Sequence, residues 1–100
     1  MRRRARVDAN SAELLAACRS LGWLVVDLSR VGGGIPDAVL VKAGRTVWVE
    51  IKQPKSVKRL SLQQEACHAA LAAHGVTVEI ITCLEDLAIL GRPQRARVEG

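Results

Sequence analysis

Residues 37 to 52 constrain this chain more than any other stretch. Two runs rich in β-branched and apolar residues, Ala38 to Val41 and Thr46 to Lys52, flank Ala43-Gly44, a pairing of strand signals and turn that predicts a β-hairpin. With a loop of even length centred on Ala43-Gly44, residues pair across the strands when their numbers add to 87. Val41 then faces Thr46, Val39 faces Trp48 and Asp37 faces Glu50. Because side chains alternate, Ala38, Leu40, Val47, Val49 and Ile51 form one wholly apolar face, and Asp37, Glu50 and Lys52 share the other. An odd loop would shift the register by one residue and separate the three polar groups.

Punctuation and periodicity place the remaining elements around this hairpin. Asp8, Asn10 and Ser11 are N-cap candidates ahead of a helix from Ala12 to Leu21, where Leu14, Leu15, Cys18 and Leu21 recur at helical spacing until Gly22. Trp23 to Leu28 reads as a strand, followed by the Gly32-Gly33-Gly34 turn. Those glycines either let backbone approach a phosphate or simply supply a flexible turn. Pro54 to Arg59 is a basic loop, Ser61 opens a helix that runs to His74 and stops at Gly75, Val76 to Thr82 is a strand, and Glu85 to Leu90 a short helix. The second helix is expected to turn Leu62, Cys67, Ala70 and Leu71 inward. Neither His68 nor His74 has a metal-ligand partner at the i+4 position, and both read as incidental. Trp48 is expected to pack against the first helix. The resulting order is α-β-β-β-α-β-α.

At 100 residues the chain is one domain with a modest core, so a functional site has to be built on the core elements themselves. No stretch approaches the roughly 18 apolar residues that span a bilayer, and no signal-type apolar segment follows the Arg-rich start, which predicts a cytoplasmic protein. Cys18, Cys67 and Cys83 lack the paired spacing of zinc sites or disulfide frameworks and read as buried thiols in a reducing compartment. Charge is unevenly placed. Arg2, Arg3, Arg4 and Arg6 precede Val7, and Arg92, Arg95 and Arg97 follow Gly91; setting these seven of fifteen aside leaves eight basic residues against nine acidic ones in between. The chain therefore divides into a near-neutral folded core, residues 7 to 91, and two basic arms, 1 to 6 and 92 to 100. Such arms suit contact with a polyanion through phosphates and counterion release, or serve as solubilising tails.

The polar face of the hairpin carries the chemistry. Two carboxylates facing one another with Cβ atoms about 5 Å apart repel by about 3 kcal/mol at an effective dielectric near 20. A hard divalent cation offsets that, since Mg²⁺ is commonly held by one or two carboxylates plus waters and phosphate oxygens. A lysine beside them can stabilise a hydroxide nucleophile or the charge developing on an attacked phosphate. Phosphodiester hydrolysis fits all three residue types. The alternative is a solvated strand face with Asp37 as a turn residue.

Pro36-Asp37, twelve residues, then Glu50-Ile51-Lys52 resembles the signature of the PD-(D/E)xK nuclease superfamily. Further, Arg6-Val7-Asp8-Ala9-Asn10, Val31-Gly32-Gly33-Gly34 and Leu60-Ser61-Leu62-Gln63-Gln64 resemble small VRR-NUC-like proteins, many of them phage-borne. The resemblance covers nearly all of the chain apart from the arms. It implies an α/β (α+β), restriction-endonuclease-like fold with an αβββαβ core, its mixed central sheet flanked by helices. It also implies that Asp37, Glu50 and the backbone carbonyl of Ile51 ligate Mg²⁺, with Mn²⁺ able to substitute. Lys52 would serve the attacking water, Glu13 would be an additional acidic ligand from the first helix, and Gln64 would join the catalytic set. The chain departs from the family's common proline at Leu62. Ser61 and Gln64 also have capping-box spacing, and Glu13 also suits the first turn of a helix, so both residues keep a structural reading.

The expected activity is that of a Mg²⁺-dependent endonuclease acting on DNA, specific for structure, of the branched-DNA or Holliday-junction type. Arg2, Arg3, Arg4, Arg6, Lys55, Lys58 and Arg59 are the candidate backbone contacts, and two-fold symmetric cutting implies a homodimer. The alternatives are a non-catalytic nucleic-acid-binding module that keeps the nuclease fold, or a structural subunit of a larger assembly.

Overall fold

The Ala43-Gly44 turn sets the architecture. Ala43 has φ 50° and Gly44 φ 81°, the two positive values that a two-residue type I′ loop requires. In the computed structural model, which describes residues 9–53 and 59–90, this turn joins β2 (Ala38–Lys42) to β3 (Arg45–Ile51). Lys42 pairs with Arg45, Val41 with Thr46, Val39 with Trp48 and Ala38 with Val49, the register expected for an even loop.

The whole element order also follows expectation. Helix α1 (Ala9–Ser20) precedes β1 (Leu24–Asp27), the hairpin is followed by α2 (Leu62–Ala73) and β4 (Val78–Ile81), and a short 3₁₀ turn (Leu84–Asp86) leads into α3 (Leu87–Leu90). The sheet order is β1-β2-β3-β4. The first three strands are antiparallel, and β4 lies parallel to β3 after the α2 crossover, which makes the sheet mixed. Both arms, Asp8, Lys55 and Lys58 lie outside the described residues.

Two helical layers sandwich the sheet. On one face Ala38, Leu40, Val49 and Ile51 join Leu14, Leu15 and Cys18 of α1, Trp23, Ile81, and Leu87 and Leu90 of α3 in the buried core. Removal of this apolar surface from water is the main stabilising term. Helix α1 reaches that core through Ser11, Leu14, Leu15 and Cys18, an i, i+3, i+4, i+7 stripe. Asn10 and Ser11 are therefore inside the helix, which begins at Ala9, rather than caps ahead of it, because the buried stripe already includes Ser11. Trp23 fills the place against α1 that was expected for Trp48. Register parity puts Trp48 on the opposite face, with Val39 and Glu50.

The turn end of the hairpin is fastened by two cations. Lys42 Nζ donates to the carbonyl of Leu21 just past α1, and Arg45 Nη1 donates to the carbonyl of Leu90 at the end of α3, each at 2.6 Å. Both satisfy carbonyls that a helix end leaves unpaired, and both lie 5.5 Å from the centroid of the Trp23 ring. Cys18, Cys67 and Cys83 are free thiols, the first buried and the others half-buried. No helix among the described residues is long and apolar enough to cross a membrane.

Candidate active site

Pro36 is buried, and the chain enters β2 directly after Asp37. Asp37 Oδ2 accepts the backbone N–H of Ile51 at 2.7 Å. That bond ties the start of β2 to the end of β3 and brings the Asp37 carboxyl group against Glu50. Glu50 is only 2% exposed, as deeply placed as the apolar residues on either side of it, although its side chain points to the other face of the sheet. An acid in that position favours its neutral form. Burial, then the charge of Asp37 and a hydrogen bond with it, push the Glu50 carboxyl up to about 8, partly offset by the Lys52 ammonium.

Helix α2 covers this face, and its first turn explains how. Ser61 caps the helix: its hydroxyl accepts the Gln64 N–H at 3.0 Å, and Gln64 Oε1 accepts the Ser61 N–H at 2.9 Å, a complete capping box. The same Gln64 Oε1 also accepts from Lys52 Nζ at 3.0 Å, so the amide must present Nε2 on its other side, where it donates to Glu50 Oε2 at 3.1 Å. Capping and site assembly, which spacing left as alternatives, are two functions of one side chain. Leu62 in place of proline leaves the helix start intact. Gly34 permits the close approach: at φ 87° a Cβ there would collide with the Gln63 carbonyl and lie 2.9 Å from Gln64 N. Gly32 and Gly33 have no such neighbour, so of the three glycines Gly34 alone meets the α2 start.

His68, one turn beyond Gln64, also joins the site, although it lacks paired metal-ligand spacing in the sequence. Its Nε2 lies 3.1 Å from Glu50 Oε1. Burial, and secondarily the charge of Lys52, lower the imidazole's pKa, and Glu50 leans toward protonation. The contact is thus a hydrogen bond between neutral groups in this state rather than an ion pair. The readable signal was the i, i+4 relation of Gln64 and His68, which places both on one helical stripe. The expected inward face of α2 requires correction. Leu62 is 83% exposed and Ala70 is also exposed, and the half-buried stripe is Gln64, Cys67, His68 and Leu71. Hydrophobic periodicity misled because this helix faces a polar section of the sheet.

Asp37, Glu50, Lys52 and Gln64 are therefore brought together, with the Ile51 N–H bonded to Asp37. Glu13 is not brought in: it is exposed on α1, whose packing stripe faces the opposite side of the sheet. Among the described residues no three His, Cys, Asp or Glu side chains converge as a metal-holding group. Arg59 is exposed, whereas Arg2, Arg3, Arg4, Arg6, Lys55 and Lys58 fall outside the described residues. Against known proteins, the family model of the VRR-NUC domain matches residues 3–83. Neither a curated protein nor a solved structure matches the chain.

Proposed function

This chain belongs to the VRR-NUC domain family, a PD-(D/E)xK-type nuclease family, and we propose that it is a Mg²⁺-dependent endonuclease that hydrolyses DNA phosphodiester bonds at branched structures. The observation that carries this reading is the buried Glu50 held against Asp37, with Lys52 linked to it through one amide. Two oxygen donors, one of them driven to hold its proton by burial first and by the adjoining carboxylate second, form a set short of positive charge. That set fits a hard divalent cation, for which Mn²⁺ substitutes. Asp37, Glu50 and the Ile51 carbonyl would hold it. When bound, such a cation supplies a counter-charge to the carboxylates and a Lewis acid toward a phosphate oxygen.

The chain's own groups supply the rest. Gln64 Oε1 engages one of the three Lys52 ammonium donors, which leaves donors for an attacking water or a phosphate oxygen. Asp37, through its bond to Ile51 N–H, keeps the two strand ends at a fixed separation. The basic arms and Arg59 would add phosphate contacts without reading sequence. Symmetric cutting of a four-way junction needs two sites, so a homodimer is part of this proposal.

The test is cleavage of linear duplex, flap, single-stranded and four-way-junction DNA in Mg²⁺, in Mn²⁺ and in EDTA. The expected outcome is metal-dependent cutting with the junction preferred. DNA binding that persists without any cutting in either metal would identify a binding module instead.

A further inference from the structure

The Glu50 carboxyl group is gripped from one side at both oxygens. Gln64 Nε2 takes Oε2 and His68 Nε2 takes Oε1, each at 3.1 Å, from positions one helical turn apart. Gln64 is locked by its capping box and by Lys52, so its hold cannot swing to the other oxygen. His68 supplies the second fixed point. Its side chain is 15% exposed, against 3% for that of Glu50, so it lies at the rim of the buried group rather than within the apolar core.

We propose that His68 is a positioning residue for Glu50: its ring nitrogen fixes the rotation of the carboxyl group, so that a divalent cation meets an oxygen already turned toward Asp37. This rests on the metal-dependent nuclease reading above. The terminal torsion of a glutamate is broad; a cation between the carboxyl groups would replace the hydrogen bond between Glu50 and Asp37, and one hydrogen bond from Gln64 would then still allow the second oxygen to sweep. Two hydrogen bonds from one helix face remove that freedom before the cation arrives, which reduces the ordering cost left to binding. Partners of this kind behind a metal ligand typically change metal affinity by about 10- to 100-fold. A purely structural role for His68 makes a different demand, because α2 is held to the sheet by half-buried groups and has no fully buried residue. Loss of packing at His68 would then show in stability, and filling the space with any side chain of similar size would repair it.

Two substitutions separate these roles. His68→Leu fills the space without a hydrogen-bonding group, and His68→Gln restores an amide that can hydrogen-bond Oε1 as donor or acceptor. Mn²⁺ is titrated into each full-length protein without DNA, by calorimetry and by thermal shift, and denaturant melts in EDTA report folding. The expected result is at least a 10-fold weaker Mn²⁺ affinity for His68→Leu, an affinity within about 3-fold of wild type for His68→Gln, and similar melts for both. Cleavage assays should repeat the pattern as a higher metal half-saturation for His68→Leu, with kcat recovered at saturating metal. Equal Mn²⁺ affinity in wild type and His68→Leu overturns the proposal, as does a folded His68→Gln that binds no better than His68→Leu. If wild type binds Mn²⁺ and His68→Leu weakens that binding but no DNA is cut, the nuclease reading fails while the role of His68 stands. Absence of Mn²⁺ binding by wild type overturns both.

Discussion

The two faces of the β2–β3 hairpin are equally deep and held by different forces. Val49 is 0% exposed and Glu50 2%, yet they are neighbours pointing in opposite directions. Val49 belongs to one buried apolar cluster with Leu40, Leu14 and Leu15, where burial itself stabilises. Glu50 sits under α2, where its burial is unfavourable until hydrogen bonds from Gln64 and His68 compensate. The lesson is a division of labour within one pair of strands: the α1/α3 face supplies stability, and the α2 face spends some of it to hold a carboxylate pair in place.

If that division is real, substitutions on the two faces should fail in different assays. Lys52→Ala is expected to lower turnover by about 10²- to 10⁴-fold while leaving DNA binding and the unfolding midpoint near wild type, since Lys52 is partly exposed and makes its bond to a side chain. Leu40→Ala, fully buried between the helices and the sheet, should cost about 2–5 kcal/mol in unfolding and reduce activity only in proportion to the unfolded fraction. Steady-state cleavage paired with urea melts checks both. A large stability loss in Lys52→Ala, or undiminished turnover in that variant, would dissolve the contrast.

The apolar face was far more legible in the amino-acid sequence than the polar one. A two-residue turn at Ala43-Gly44 admits a single register, and alternation then assigns Ala38, Leu40, Val49 and Ile51 to one side without ambiguity. Asp37, Glu50 and Lys52 followed from the same parity, and Ser61 announced the start of α2. What failed were inferences that needed a partner's position. Leu62 and Ala70 were expected to turn inward because apolar periodicity assumes an apolar neighbour, whereas α2 lies over Glu50 and turns Gln64 and His68 toward it. Glu13 and Trp48 failed because helix α1 covers the core face alone: Glu13 points away from it, and Trp48 is on the far side of the sheet. His68 was overlooked because its partner is a carboxylate on a distant strand, and only its i, i+4 relation to Gln64 pointed to the same helical stripe.

The next test titrates the polar face without metal. In EDTA the folded protein holds a Glu50 proton up to about pH 8, whereas the unfolded carboxyl releases it near the ordinary glutamate value of 4.5. Between these values the native state binds more protons than the unfolded state, so stability falls as pH rises through the window and levels off above about 8. His68 has a lowered pKa, so its contribution runs the other way, rising with pH until the unfolded imidazole, half-titrated at 6.5, has lost its proton about one pH unit higher. The window from about pH 7.5 to 8 therefore isolates Glu50. Urea melts there should show stability decreasing by up to about 1.4 kcal/mol per pH unit, and Glu50→Gln should abolish that slope. A flat wild-type profile would mean that Glu50 is ionised when buried and that its hydrogen bonds outweigh both desolvation and Asp37.

The smallest expected effect comes from the turn on which both faces depend. Ala43 has φ 50°, a left-handed conformation that crowds a Cβ against backbone and that asparagine tolerates better than alanine. Asn-Gly is also the favoured pair for a type I′ loop, so Ala43→Asn should stabilise the protein by about 0.5–1 kcal/mol. The turn lies at the opposite end of β3 from Glu50, about 20 Å away along a strand rising about 3.3 Å per residue. It contributes no side chain to either face. Its stabilisation should therefore appear in denaturant melts with no change in Mn²⁺ affinity or in the pH slope of the metal-free protein. If Ala43→Asn altered metal affinity as well, the register would have been slipping in the wild-type protein, because a shift of one residue would carry Glu50 to the core face and Val49 to the site. Stability and site occupancy would then report one equilibrium, and the separation of the two faces would be a property of the dominant register rather than of the chain.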